Sequence, residues 1–73
     1  MTTKYLITVS HTARPSHKYY KCLRQASQWT SIVKTYNRDV AKQYTSQYEA
    51  ETAVMDLSTM YPALYFTVVE KGA

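Results

Sequence analysis

Glycine is nearly absent from this chain: one of its 73 residues is Gly, at position 72. A phosphate-cradling loop needs glycines, because the backbone must come close to the phosphate and take up positive φ. That class of nucleotide site is excluded, and nothing else in the chain calls for a cofactor. Cysteine is as scarce. A lone Cys22 can form no disulfide within the chain. Branched aliphatics are few, with four Leu, two Ile and six Val. No run approaches the roughly 20 apolar residues that span a bilayer. The opening "MTTKYLITVSHTARP" has no leader-like apolar run with a small-residue cleavage site. A cytoplasmic setting away from membranes is the expectation.

What the chain has instead is tyrosine: eight Tyr, beside one Trp and one Phe. These rings must supply much of the apolar area that the aliphatics do not. A Tyr hydroxyl needs a partner or water, so several rings are expected at the rim of the core or on the surface. So short a chain builds one core, and residues 1–73 read as a single domain. Its stability should be modest, roughly 3–5 kcal/mol, unless it forms a homo-oligomer.

Acidic residues are missing from the first half. Residues 1–45 carry eight Lys and Arg against Asp39, a balance of +7. Residues 46–73 carry Lys71 against Glu49, Glu51, Asp56 and Glu70, a balance of −3. If the halves present different faces, the molecule is a dipole with one basic side. Such a side fits an acidic protein surface, a nucleoprotein complex or nucleic acid.

Hydrophobic periodicity sets the expected architecture. "KYLITVSH" (4–11) reads as a strand, with Tyr5, Ile7 and Val9 alternating against Leu6, Thr8 and Ser10. "TARPSH" (12–17) reads as a loop around Pro15. "KYYKCLRQASQWTSIVKTYN" (18–37) has two readings, a hairpin turning near Gln25–Gln28 or a long helix. The hairpin is favoured because Thr30, Ile32, Val33 and Thr35 are better strand than helix formers. At strict period two, Tyr20 and Cys22 oppose Tyr19, Lys21 and Leu23. "RDVAKQY" (38–44) reads as a connector that dips Val40 and Tyr44 into the core.

The helix is the clearest element. Ser46 with Glu49 three residues later makes "SQYE" a capping-box signature. Glu49 and Glu51 are expected in the first turn, where the helix dipole favours negative charge. Ala50, Ala53, Val54, Leu57 and Tyr61 form one apolar stripe. Pro62 disfavours helical geometry at Tyr61 and stops the helix. "ALYFTVVE" (63–70) reads as a last strand with Leu64, Phe66 and Val68 on one face, before a polar "KGA" tail. The expected fold is α+β, an antiparallel sheet of three to four strands packed by one helix. The order is strand, hairpin, helix, strand.

Chemistry-bearing clusters are sparse. His11, His17 and Cys22 have the spacing H-x5-H-x4-C, which matches no usual zinc pattern, so no metal site is expected. Glu49, Glu51 and Asp56 are accounted for by capping and a solvated helix face. No catalytic group is assigned, and an enzyme is not expected. The remaining candidate is "HTARPSHKYYKCLR" (11–24). Its candidate partner-binding residues are Arg14, Lys18, Tyr19, Lys21 and Arg24. Cations neutralise phosphates and Tyr faces stack on bases, while Tyr and Arg are also favoured anchors at protein interfaces. A plain basic loop leading into an edge strand kept soluble by lysines accounts for the same residues.

The run from Trp29 to Leu57 resembles a pattern in small phage and prophage proteins. In these, a Trp-bearing strand leads to an A-K-x-aromatic-x-S-x-x-E-A-E segment and a helix ending in Leu and Pro. Here that segment stands as "AKQYTSQYEAE" (41–51). The short single domain also looks like those of anti-CRISPR proteins and other phage inhibitors of host defence. The resemblance implies a small inhibitor or accessory protein of the host cytoplasm that acts by stoichiometric binding to a macromolecular partner. A direct nucleic-acid-binding module is the alternative, and a structural protein that oligomerises through a sheet edge is a third reading.

Overall fold

A computed structural model describes residues 3–11, 18–25, 28 and 30–72. Residues 12–17, expected as a loop and including Arg14 and His17, lie outside the described residues, as do Ala26, Ser27 and Trp29. The elements are β1 (Lys4–Ser10), β2 (Tyr19–Gln25), β3 (Thr30–Thr35), α1 (Gln47–Met60) and β4 (Tyr65–Gly72). They form one antiparallel sheet of order β3-β2-β1-β4 with a single helix, the α+β arrangement expected from the sequence. The described residues of 18–37 thus form the two strands of a hairpin and no helix. β4 runs through Lys71 to Gly72, which pairs with Lys4, so the expected polar tail is largely strand.

β1 is one of the two inner strands and supplies the largest fully buried side chains among the described residues, Leu6, Ile7 and Val9. Successive strand residues point to opposite faces, so burial of both Leu6 and Ile7 means that the sheet is covered on both sides there. α1 packs against β4 and β1. Tyr44 pairs with Tyr5 and shares a groove with Ala53 and Leu57, which places α1 on the side of Tyr5, Ile7 and Val9. The connector between β3 and α1 reaches across to the far end of β4. There Arg38 Nη2 donates to the carbonyls of Lys71 (2.9 Å) and Glu70 (3.4 Å), and Asp39 pairs with Lys71 at 3.0 Å.

The connector buries a different residue from the one expected. Val40 is 45 % exposed, while Ala41 is 5 % exposed. The amides of both donate to the Asn37 carbonyl, forming a tight turn that points the smaller residue inward. Tyr44 is half-buried, as expected.

α1 is the 14-residue helix that the sequence announced. Ser46 Oγ accepts from the Glu49 amide at 3.1 Å. The reciprocal half of the capping box is replaced: Glu49 Oε2 accepts from the Thr45 hydroxyl at 3.0 Å. Of the two expected acids, Glu49 alone lies in the first turn, and Glu51 falls in the next. Ala50 and Leu57 are buried at the centre of the stripe. The helix ends at Met60, and the Tyr61 amide closes it on the Leu57 carbonyl at 2.8 Å. Ser46→Ala should cost about 1 kcal/mol, read as a lower midpoint in a urea melt. An unchanged midpoint would mean that the cap contributes nothing.

Candidate interaction site

The charge asymmetry of the sequence separates onto two elements. Between Lys18 and Tyr36 stand Lys18, Lys21, Arg24 and Lys34, with no acid. α1 carries Glu49, Glu51 and Asp56, with no cation. The β2–β3 hairpin is therefore the basic arm and the helix the acidic one. Arg38 and Lys71 are spent on tying the connector to β4.

Sheet register decides which hairpin residues share a face. Tyr20 pairs with Lys34, but Cys22 pairs with Val33, so the ladder slips at Lys21. This bulge overturns strict alternation. Tyr20 and Leu23, three apart, both oppose residues of one β3 face, Lys34 and Ile32. They look toward the helix. Tyr19, Cys22 and Arg24 share the opposite, open face with Thr35, Val33 and Ser31. On that open face one row crosses the whole sheet, Thr35–Tyr19–Thr8–Thr67.

The sequence-derived candidates are thus divided. Tyr19 is half-buried and Arg24 exposed on the open face, and Lys21 is exposed at the bulge. Lys18 is half-buried on the helix side, with its ammonium 5.8 Å from the centre of the Tyr36 ring. Arg14 lies outside the described residues.

The helix side of the hairpin holds features that the sequence reading missed. A sheet of four strands about 4.8 Å apart is wider than one helix of about 10 Å can cover. α1 takes β1 and β4 and leaves β2 and β3 bare. The connector then widens the gap by entering between β1 and β2. The Lys42 amide donates to the Tyr20 carbonyl at 3.0 Å, and Tyr44 exchanges two 2.9 Å backbone bonds with Tyr5. The turn end of the hairpin, where Gln25 pairs with Thr30, is held by the Tyr61 hydroxyl, which donates to the Thr30 carbonyl at 2.7 Å.

Between arm and helix lies a groove of about 500 Å³. Tyr20, Leu23 and Tyr44 line one side of it, and Ala53, Leu57 and Met60 the other. Asp56 and Thr59 are its polar rim. Burial, and secondarily Cys22 and Tyr61, raise the Tyr20 phenol above its ordinary value of 10.0. Burial, and then Tyr20, do the same for Tyr44. Both rings therefore stay uncharged at neutral pH, and the groove is apolar.

A smaller pocket of about 260 Å³ at the open end of the hairpin is lined by Lys18, Lys34, Thr35 and Tyr36, of which Lys34 shares the face of Tyr20. Lys34 Nζ is 3.5 Å from His11 Nε2, just beyond the end of β1. Among the described residues, no group of three or more His, Cys, Asp or Glu comes together to hold a metal ion. No helix among them is long and apolar enough to cross a membrane.

No family model, curated protein or solved structure matches this chain.

Proposed function

We propose that the protein is a stoichiometric binding module whose basic hairpin docks on an acidic macromolecular surface, that of a protein or a nucleoprotein complex. A small phage-type inhibitor or accessory protein of the anti-CRISPR kind, working in a host cytoplasm, is the biological role this reading accommodates. The single observation that carries it is the separation of charge. Four cations and no acid stand on one hairpin, and three acids with no cation stand on the helix. Such a dipole orients an approaching partner and speeds association. The open face that carries Arg24 also offers Tyr19 and a row of Thr side chains at its other end, and Tyr suits a protein interface.

Direct binding to nucleic acid is the second reading. One observation favours it: a two-stranded basic ribbon matches the width of the DNA major groove. Salt dependence separates the two. If each of the hairpin's cations neutralises one phosphate, affinity for duplex DNA should fall with a log–log salt slope of about −3 to −4. Fluorescence anisotropy at several salt concentrations measures this. Absence of binding at low salt removes the nucleic-acid reading. Partner capture from a bacterial lysate that survives nuclease treatment supports a protein partner, and capture lost on nuclease treatment overturns it.

A further inference from the structure

The apolar groove and the basic pocket adjoin. Tyr20 lines the first and Lys34 the second, and the two are direct cross-strand partners on one face of the hairpin. Directly opposed residues have Cβ atoms about 5 Å apart. The groove and the pocket thus stand side by side and are read together as one track, apolar where the hairpin meets the helix and cationic where it meets the end of β1. Leu23 and Met60 stand partly exposed on its two walls, at 38 % and 47 %. Its charge is graded along its length: Lys18 and Lys34 with His11 lie at one end, and Asp56 at the rim of the other.

We infer that this track binds a short segment of a partner protein in which an apolar side chain adjoins a carboxylate, with the side chain between Leu23 and Met60 and the carboxylate at Lys18 and Lys34. Charge complementarity selects the anion, and the volume is that of a ligand site rather than a packing defect. A nucleobase fits the apolar section less well. Its edge needs several hydrogen-bonding groups, and the walls are mainly aliphatic and aromatic carbon. The inference rests on the acidic-partner reading and narrows it to one surface of the arm.

The test is a titration of the ¹⁵N-labelled full chain with acetyl-Asp-Phe-Asp-Leu-amide, followed by amide shifts. Two controls replace either both Asp by Lys or Phe and Leu by Ser. The acidic apolar peptide should give saturable shifts at Leu23, Met60, Lys34 and Tyr36 together, and each control should bind at least tenfold more weakly. Lys34→Gln, a surface change whose fold is checked by its melt, should weaken the acidic peptide about tenfold and leave the Lys-containing control unaltered.

Four outcomes overturn the inference, three of them outright. Those three are no shift at millimolar peptide, equal response to all three peptides, or stronger movement of the same residues by an octathymidylate. Shifts confined to Thr8, Tyr19, Arg24 and Thr67 also overturn it, while leaving the acidic-partner reading in place, since they move binding to the open face. Failure of that reading registers separately, as partner capture that survives reversal of Arg14, Lys21 and Arg24 combined with Lys18→Gln and Lys34→Gln.

Discussion

Leu57→Ala is expected to lower stability by about 2–4 kcal/mol, enough to leave much of the protein unfolded at 37 °C. Leu57 is 4 % exposed, and among the described residues it is the only large side chain of α1 that is fully in the core. Ala50, the other buried helix residue, is too small to compensate. The rest of that core is β1, with Leu6, Ile7, Val9 and the connector's Ala41. Removing Leu57 leaves a cavity where α1 packs against β4 and β1. Thr52→Ala is the control. Thr52 is exposed, and its hydroxyl only returns to the Tyr48 carbonyl at 2.9 Å, so a change within about 0.5 kcal/mol is expected. Urea melts of both variants measure the difference. A crippled Thr52 variant beside an unaffected Leu57 variant would mean that the buried face of α1 is misassigned.

The helix was legible because its signals are local. Ser46, Glu49 and Pro62 act within a few residues of themselves, and the stripe from Ala50 to Leu57 repeats at helical period. β1 was legible for the same reason, through the alternation of Tyr5, Ile7 and Val9. The hairpin was legible as a pair of strands, but not in its faces. The slip at Lys21 carries no glycine or other turn residue to announce it, and it moves Leu23 from the side of Tyr19 to the side of Tyr20. The connector failed at Val40 because hydrophobicity alone favours Val over Ala. Burial there is set by the turn at Asn37.

The candidate site divides along the same line. Lys18, Lys21 and Arg24 could be picked out as a cluster of charge, because charge is a property of composition. The groove and its basic end could not. They depend on Tyr20 and Leu23 of β2, Tyr44 of the connector and Met60 of α1 meeting from three separate stretches of chain, and on Lys34 facing Tyr20 across a bulged ladder. The weak sign available in the sequence was Met60 with Tyr61 at the helix end. Two large residues stand there where the apolar stripe needs only one.

Replacing Arg14, Lys21 and Arg24 together by Glu should leave the fold intact and weaken partner binding about a hundredfold or more. Lys21 and Arg24 are exposed and lie outside the core, so reversal leaves no buried charge unpaired. Against an acidic surface, each new carboxylate replaces an attraction with a repulsion, and three together act on affinity and on association rate. Lys34 is deliberately spared, so that the hairpin's outer charge is tested apart from the groove. Glu51→Lys is the matched control. Glu51 is exposed on the helix, and its recorded contact is a 3.4 Å hydrogen bond from Gln47, whereas Asp56 rims the groove and would confound the comparison. The readout is the amount of partner captured from nuclease-treated lysate at fixed salt, with a thermal melt of each variant. A folded triple variant that captures its partner normally, beside a Glu51 variant that does not, would make the acidic helix the docking surface. The partner would then have to be basic, and the hairpin's cations would serve only to keep an exposed strand pair soluble.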